Sequence, residues 1–410
     1  MRESIAMLLF ALLVGSACAE PVEPVYSLAG QERAALVDTL RSLVEVESGS
    51  RDLEGLNRLA GLIGQRLNAL GAEVEYYQPT PGETVRLFDT PDRVGPVVIG
   101  RLQGTGSRRI MLLAHMDTVY ARGTLEAQPF RSDADRLYGP GIADAKGGVA
   151  LILHAVSLLN AMEFREFATL TVVINGDEEI SSPGSRAIIE RLGAEHDVVL
   201  SCEPPLGKTD QIALATSGIG LATLTVTGRP AHAGVNPELG RNAVVELAHR
   251  LLQTADLSDA QRRVKFNWTL VSGGQVRNMI PDRASATADV RVNRLADLDW
   301  IERRLRERIA SHASLVADTS VDVAFERRRA PLEATEASRE LARIAQSIYA
   351  EIGRSLAVDD SGTGGGTDAA FAAASGKPAV VESLGLIGFG FHASGEEYVE
   401  LDSIRARLYL

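Results

Sequence analysis

Acidic and imidazole side chains gather where short apolar runs of this chain end. His115 and Asp117 follow the run Ile110–Ala114 in A-H-M-D-T-V-Y. Residues two apart on extended chain share a face, so Asp117 can hold the imidazole of His115. Asp144 lies in G-P-G-I-A-D-A-K-G-G, directly before an apolar helix pattern. After Leu170–Ile174 comes N-G-D-E-E, which offers Asp177, Glu178 and Glu179. Glu203 follows the run Val198–Cys202 in S-C-E-P, and His392 stands in G-F-H-A-S-G. Taken singly, an acid in a loop is most simply a helix cap. Together, two histidines and three carboxylates make a nitrogen and oxygen ligand set suited to zinc or a similar divalent ion. Two metals sharing one carboxylate need about this inventory.

Other chemistries lack their residues. Gly207-Lys208-Thr209 resembles the end of a phosphate loop, but Cys202 occupies the place of its first glycine. Gly139-Pro140-Gly141 begins a dinucleotide fingerprint whose third glycine is replaced by Asp144. Neither a G-x-S-x-G elbow nor an H-E-x-x-H helix occurs, which disfavours a serine hydrolase and a single-zinc protease.

The elements that position these groups follow from hydrophobic periodicity. Helical spacing runs from Gln31 to Gly71, and short apolar runs at Pro96–Ile99, Ile110–Ala114, Leu170–Ile174 and Val198–Cys202 read as strands. The helix pattern Gly147–Asn160 lies between the second and third. Strands alternating with helices predict an α/β layer with a mostly parallel sheet, whose ligands bind beyond the carboxyl ends of the strands. The middle of the chain differs. Leu221–Thr227, Lys265–Val271 and Ser285–Val292 alternate apolar and polar residues, as strands with one wet face do. With helix patterns at Asn242–Leu257 and Asp297–Ile309 they predict an inserted α+β unit, an antiparallel sheet with two helices on one face. After Pro331 the α/β texture resumes, with a helix over Ala337–Ile352 and a strand over Pro378–Glu382. The expected divisions are a first catalytic part over 20–216, an insertion over 217–328 and a second catalytic part over 329–410.

Of the 410 residues, 42 are Lys or Arg against 54 Asp or Glu, a formal charge of -12. Such a field repels phosphate backbones and anionic membranes, so neither nucleic acid nor membrane is an expected partner. Residues 1–19 read as a secretory signal: Arg2, an apolar core Ile5–Gly15 and a small-x-small end at Ala17-Cys18-Ala19. That core is too short for a bilayer, which needs about 20 residues. Cleavage gives a mature chain from Glu20, in the periplasm or secreted, with Cys202 as its one thiol. Lipid attachment at Cys18 is the alternative.

The H-M-D-T-V, G-P-G-x-x-D-x-K-G-G, D-E-E, C-E-P and late histidine elements resemble those of the dinuclear zinc exopeptidases. That family includes aminoacylases, succinyl-diaminopimelate desuccinylase and glutamate carboxypeptidase. The nearer resemblance is to its exported, folate-cleaving bacterial glutamate carboxypeptidases. It is carried by F-N-W-T at Phe266–Thr269, T-G-G-G-T-D-A-A at Thr363–Ala370 and the long segment from Ser375 to His392. The resemblance implies two zinc ions per subunit. His115, Asp144 and Glu203 would hold one, with Asp144 bridging, and Glu179 and His392 would complete the second. Glu178 would be the general base and Asp117 the partner of His115. The insertion would be a dimerisation domain whose His232 reaches the other subunit's site in a homodimer. Asn278, Arg291 and Arg329 would bind the substrate's carboxylates. A pocket lysine of these relatives is replaced by Gln211, with Lys208 three residues earlier, which implies weaker glutamate recognition.

The reading is therefore a zinc carboxypeptidase that hydrolyses the amide bond to a C-terminal amino acid, with glutamate first, in small peptides or acyl-amino acids. The alternatives are an N-acyl-amino-acid deacylase with the same ligands, and a non-catalytic binding member, which would have no need of Glu178.

Overall fold

The computed structural model describes residues 20–207, 209–362, 364–393 and 395–410, and the expected signal segment lies outside the described residues. A six-stranded sheet forms the first layer. Its spatial order is Glu73–Tyr77, Val97–Gln103, Thr169–Asn175, Arg109–His115, Val198–Ser201 and Ala379–Val381. The last four strands run parallel, and the two at the other edge pair antiparallel. Alternation with period two sends the side chains of one strand to two cores. Leu112 and Ala114 pack with Leu56, Leu59, Ile63 and Val156 on one face. Met111 and Leu113 pack with Ile188, Ile189, Leu192 and Phe371 on the other. Burial on both faces explains why these strands read as unbroken apolar runs. The helix Gly147–Ala161 is apolar nearly all round for the same reason. The stretch Ile142–Ala161 is long and apolar enough to cross a bilayer, but 78% of its window is buried inside the fold.

The second layer is a four-stranded antiparallel sheet ordered Lys265–Gly273, Arg283–Val292, Gly218–Thr227 and Ser320–Arg329. Helices Ala243–Gln253 and Leu295–Ala310 cover one face, where Ala222, Leu224 and Val226 of the central strand are buried. The chain therefore carries a mixed, mostly parallel sheet interrupted by a separate antiparallel α+β unit, as the hydrophobic patterns predict.

Three details differ from the sequence reading. The helical stretch expected over Gln31–Gly71 is divided into Val25–Gln31, Arg33–Val44 and Leu53–Ala69. The break before the last helix has a packing cause: a side chain at Gly49 would lie 2.3 Å from the Tyr120 carbonyl, and Asp52 caps the next helix by accepting from Gly55 N. The strand Ser320–Arg329 was not expected. Its exposure alternates, as a strand with one wet face should, but its polar end E-R-R-R masks the period. The helix expected to run to Leu257 ends at Gln253.

Candidate metal centre

His115 closes its strand at the carboxyl edge of the sheet and is 1% exposed. Its Nδ1 lies 3.0 Å from the Asp117 carbonyl and 3.3 Å from Asp117 Oδ1. With Nδ1 so engaged, Nε2 faces Asp144 Oδ1 at 3.0 Å and Glu203 Oε2 at 3.4 Å. Asp117 does more than orient the imidazole. Its carboxylate accepts the backbone N–H of Glu178 (3.0 Å) and Glu179 (3.1 Å) and the Ser50 hydroxyl (2.7 Å). One buried acid thus fixes the ends of two strands and the loop that breaks the early helix.

Glycines allow the close approach on the Asp144 side. Gly141 has φ +70, and a Cβ there would meet Thr118 Cγ2 at 2.3 Å. A Cβ on Gly148 would lie 1.9 Å from the Cys202 carbonyl, so the helix start seats against the strand that delivers Glu203. Glu178 and Glu179 form a single 3₁₀ turn ended by Ser181 at φ +71, and this turn aims neighbouring carboxylates apart. Glu179 Oε2 lies 3.2 Å from His392 Nε2, which is 3.3 Å from Asp144 Oδ2. Glu178 Oε1 instead meets Arg329 Nη1 at 2.6 Å.

The donors therefore form two groups, His115–Asp144–Glu203 and Asp144–Glu179–His392. Each oxygen of Asp144 faces a different histidine. Tetrahedral zinc with ligand bonds of about 2.0–2.1 Å separates its donors by roughly 3.3 Å. The contacts of 3.0–3.4 Å above match that edge length. Among the described residues Glu179 Oε1 is buried with no hydrogen-bond partner, a cost a cation would remove. The residues present fit a pair of divalent ions.

Charge in the site points the same way. Burial pushes the His115 imidazole down, but Glu203, Asp117 and Asp144 outweigh it and raise it well above the usual histidine range. Hydrogen bonds to Asp144 and Glu179 raise His392 to about 10. Burial and then the Asp144 charge raise Glu179 to about 7. Burial raises Asp144 too, but hydrogen bonds from His115 and His392 win and hold it below the ordinary carboxylate range. Burial holds Glu178 well above its ordinary value, against the pull of Arg329. This cluster takes up positive charge.

A cavity of about 410 Å³ opens onto the cluster between the two sheets. Asp144, Glu178, Glu179, Glu203 and His392 line it, together with Arg291 and Arg329. Arg329 is buried and shared by Glu178 and Asp368, the latter at 3.0 Å. Arg291 is held by Asp289 at 2.9 Å and donates to the Gly364 carbonyl at 3.3 Å. Among the described residues, His232, Asn278 and Gln211 do not line this cavity. His232 is exposed on the short pair Ala231–His232 with Met279–Ile280, and the Asn278 carbonyl accepts from Ala233 N at 2.9 Å. Lys208 lies outside the described residues.

Residues 111–410 match the family model described as peptidase family M20/M25/M40. Carboxypeptidase G2 of Pseudomonas sp. (strain RS-16) is 41% identical over 406 residues, covering 99% of this chain and 94% of its own. The chain belongs to peptidase family M20/M25/M40. Succinyl-diaminopimelate desuccinylase of Gluconobacter oxydans (strain 621H) is 30% identical over 355 residues, 80% of this chain and 87% of its own. Two solved structures share the fold. An M20 family metallo-carboxypeptidase from Sulfolobus solfataricus aligns with a TM-score of 0.69 at 16% identity, covering 91% of this chain and 97% of its own. Human carnosine dipeptidase 1 aligns with a TM-score of 0.72 at 16% identity, covering 95% and 98%. This M20 peptidase is a metal-dependent hydrolase, a metallo-carboxypeptidase.

Several buried residues around the peptidase site carry no spacing signal. Asp368 accepts from Asn175 Nδ2 at 2.7 Å, binds the Ser182 hydroxyl and faces Arg329. Arg328 is tied to Asp89 at 2.7 Å and lines the cavity beside Arg329. Glu382 lines it too, and burial raises it to about 8. The motifs T-G-G-G-T-D and A-V-V-E contain two of these acids, but only the fold turns them inward.

Proposed function

We propose that this carboxypeptidase uses two zinc ions to release C-terminal glutamate from acyl-glutamates and small peptides. Asp144 carries the reading, because its two oxygens face two complete donor groups. His115 and Glu203 would hold one ion, Glu179 and His392 the other, with Asp144 between them. When bound, such a pair supplies an acidified water and polarises the scissile carbonyl. The chain's own residues do the rest. Glu178, turned away from the ligands and braced by Arg329, takes the proton of the attacking water on a carboxylate oxygen and delivers it to the leaving amine. Asp117 keeps the imidazole of His115 in one tautomer through Nδ1. Arg291 offers a planar fork to the substrate's terminal carboxylate. The preference for glutamate is supported by the 41% identity to carboxypeptidase G2 over nearly the full chain.

The active form in this proposal is a homodimer. Its support is the strand Lys265–Gly273, an edge among the described residues, with Leu270 64% and Val271 65% exposed, and Leu252 of the helix Ala243–Gln253 at 79%. A lone chain seldom leaves an apolar edge uncovered. His232 uses Nδ1 to accept from Gly234 N and Val235 N at 3.1 Å, which leaves an Nε2–H to offer a partner's substrate. The signal-like start is the basis for placing the mature chain in the periplasm or outside the cell.

The test is a hydrolysis screen with one acyl group on varied C-terminal amino acids, each also as its C-terminal amide. Glutamate release with the highest kcat/KM, and refusal of every amide, is expected. Equal cleavage of amides, or no cleavage of any acyl-glutamate, sinks the proposal.

A further inference from the structure

Asp144 must present its two oxygens in two directions, and it sits in the turn Ile142–Lys146 at a point where the backbone departs from helical geometry. The device that holds this loop is a second buried acid, Glu397, five residues beyond His392 and 3% exposed. Glu397 Oε1 accepts the backbone N–H of Ala143 at 2.8 Å and of Asp144 at 3.0 Å. Glu397 Oε2 accepts the N–H of Gly141 at 2.9 Å and the Tyr120 hydroxyl at 2.8 Å. The Glu397 carbonyl accepts from Gly139 N at 3.3 Å. The Tyr120 hydroxyl also lies 3.2 Å from the carbonyl of Ala393, the residue after His392. Glu397 itself leads into the strand Tyr398–Glu400, which pairs with Arg136–Tyr138 and Gly388–Phe389. One side chain thus ties the loop of the shared carboxylate to the segment that brings His392.

We infer that Glu397 is a positioning residue: with Tyr120 it locks the backbone at Gly141–Asp144, so that one carboxylate serves both donor groups. The chemistry requires an acid there. Four donors converge on two oxygens, and an ionised carboxylate has acceptors for all four and no hydrogen of its own. Glutamine has the same shape but one oxygen. One placement of its amide leaves the Gly141 N–H facing an N–H, while the Tyr120 hydroxyl can turn to accept; the other leaves the N–H groups of Ala143 and Asp144 without an acceptor. A plain loop staple would show only in folding stability. A positioning residue for Asp144 must show in both metal sites together, since both use that side chain.

The inference rests on the two-metal reading above, and the experiment separates the two. Full-length wild type, Glu397→Gln and Tyr120→Phe are stripped of metal and titrated with zinc against a competing chelator, then loaded with cobalt for visible absorption. Loss of a partner behind a ligand typically weakens metal binding by about 10–100-fold. Glu397→Gln is expected to weaken both zinc sites by that range and to alter the cobalt spectrum, with circular dichroism unchanged. Tyr120→Phe keeps the three backbone bonds, so about a fivefold weakening is expected, near the net worth of one hydrogen bond. If Glu397→Gln fails to fold, Tyr120→Phe decides, and zinc affinities within twofold of wild type there overturn the inference. A folded Glu397→Gln with both affinities within twofold of wild type, or with only one site weakened, also overturns it. Wild type binding fewer than two zinc ions overturns the two-metal reading and this inference with it.

Discussion

Replacing Arg329 by methionine removes a guanidinium that two buried carboxylates share. Its side chain is 1% exposed, with Nη1 2.6 Å from Glu178 Oε1 and 3.0 Å from Asp368 Oδ1, and Nη2 donates to the Glu178 carbonyl at 3.1 Å. Methionine fills much of the volume, so little of the change is a cavity. What remains is two acids facing each other without a counter-charge. Removing one partner of a buried ion pair costs roughly 3–5 kcal/mol, out of a total stability of about 5–15 kcal/mol. Two orphaned carboxylates place Arg329→Met at the upper end of that cost. Adding Asp368→Asn removes one of the two orphaned charges and should recover part of the loss. Urea unfolding followed by circular dichroism measures both variants. In the same protein kcat should collapse with little change in KM, because Glu178 loses its brace while the substrate's carboxylate keeps Arg291. The resemblance to glutamate carboxypeptidases implies a different job, direct contact with substrate. A variant within about 1 kcal/mol of wild type whose KM alone rises would refute the counter-charge argument and restore that contact.

Glu178→Gln should keep both metals, by elemental analysis, and lose about 10²–10⁴-fold in kcat; loss of metal would make Glu178 a ligand. Mixing inactive Glu178→Gln and His232→Ala subunits should restore partial activity, since one mixed site has both groups intact; no recovery after verified exchange removes His232 from the partner's site. Gln211→Lys should leave the preference for glutamate unchanged, because Gln211 is not among the residues lining the cavity; a sharper preference in kcat/KM would put it in the pocket. Burial lowers His154 and His196 below the ordinary histidine value of about 6.5. Their neutral forms therefore favour the fold: the share of stability these two histidines contribute is full above that value and is lost as pH drops through it toward their lowered values, so removing one of them should change the pH slope. Urea midpoints between pH 7.5 and 5 test this, and a His154→Gln variant with an unchanged slope would remove His154 from the effect.

The architecture was legible where burial imposes a period. Strands covered on both faces read as apolar runs, and those with a wet face read as alternation. Both sheets follow from that difference. Where another demand overrides hydrophobicity, the pattern failed. The break after Val44 is such a place. Its apolar residues keep a helical period, yet the segment must unwind to carry Ser50 to Asp117 and Gly49 under Tyr120. The strand Ser320–Arg329 is another. It ends in three arginines, a charged run that hides the alternation, although Arg328 and Arg329 are only 7% and 3% exposed.

The donor groups were legible for a physical reason. A metal-binding side chain needs a rigid element, and the ends of buried strands are rigid points of this fold, so the candidate ligands His115 and Glu203 mark themselves by following apolar runs. Asp144 and His392 marked themselves through glycines, which allow backbones to close on one another. The supporting shell has no such signature. Asp368, Arg329 and Glu382 act through contacts between segments far apart in the chain, and no local spacing encodes them. Charge compensation is the principle that unites them: buried carboxylates crowd a small volume, and each without a cation must find donors. Asp117 has Ser50 and two backbone N–H groups, and Asp368 has Asn175, Ser182 and Arg329. Glu179 is left with an unpartnered oxygen beside Asp144 and His392. The acids around the site that carry full sets of protein donors are therefore scaffold, and Glu179, whose free oxygen lies beside Asp144 and His392, stands where a cation would supply the missing partner.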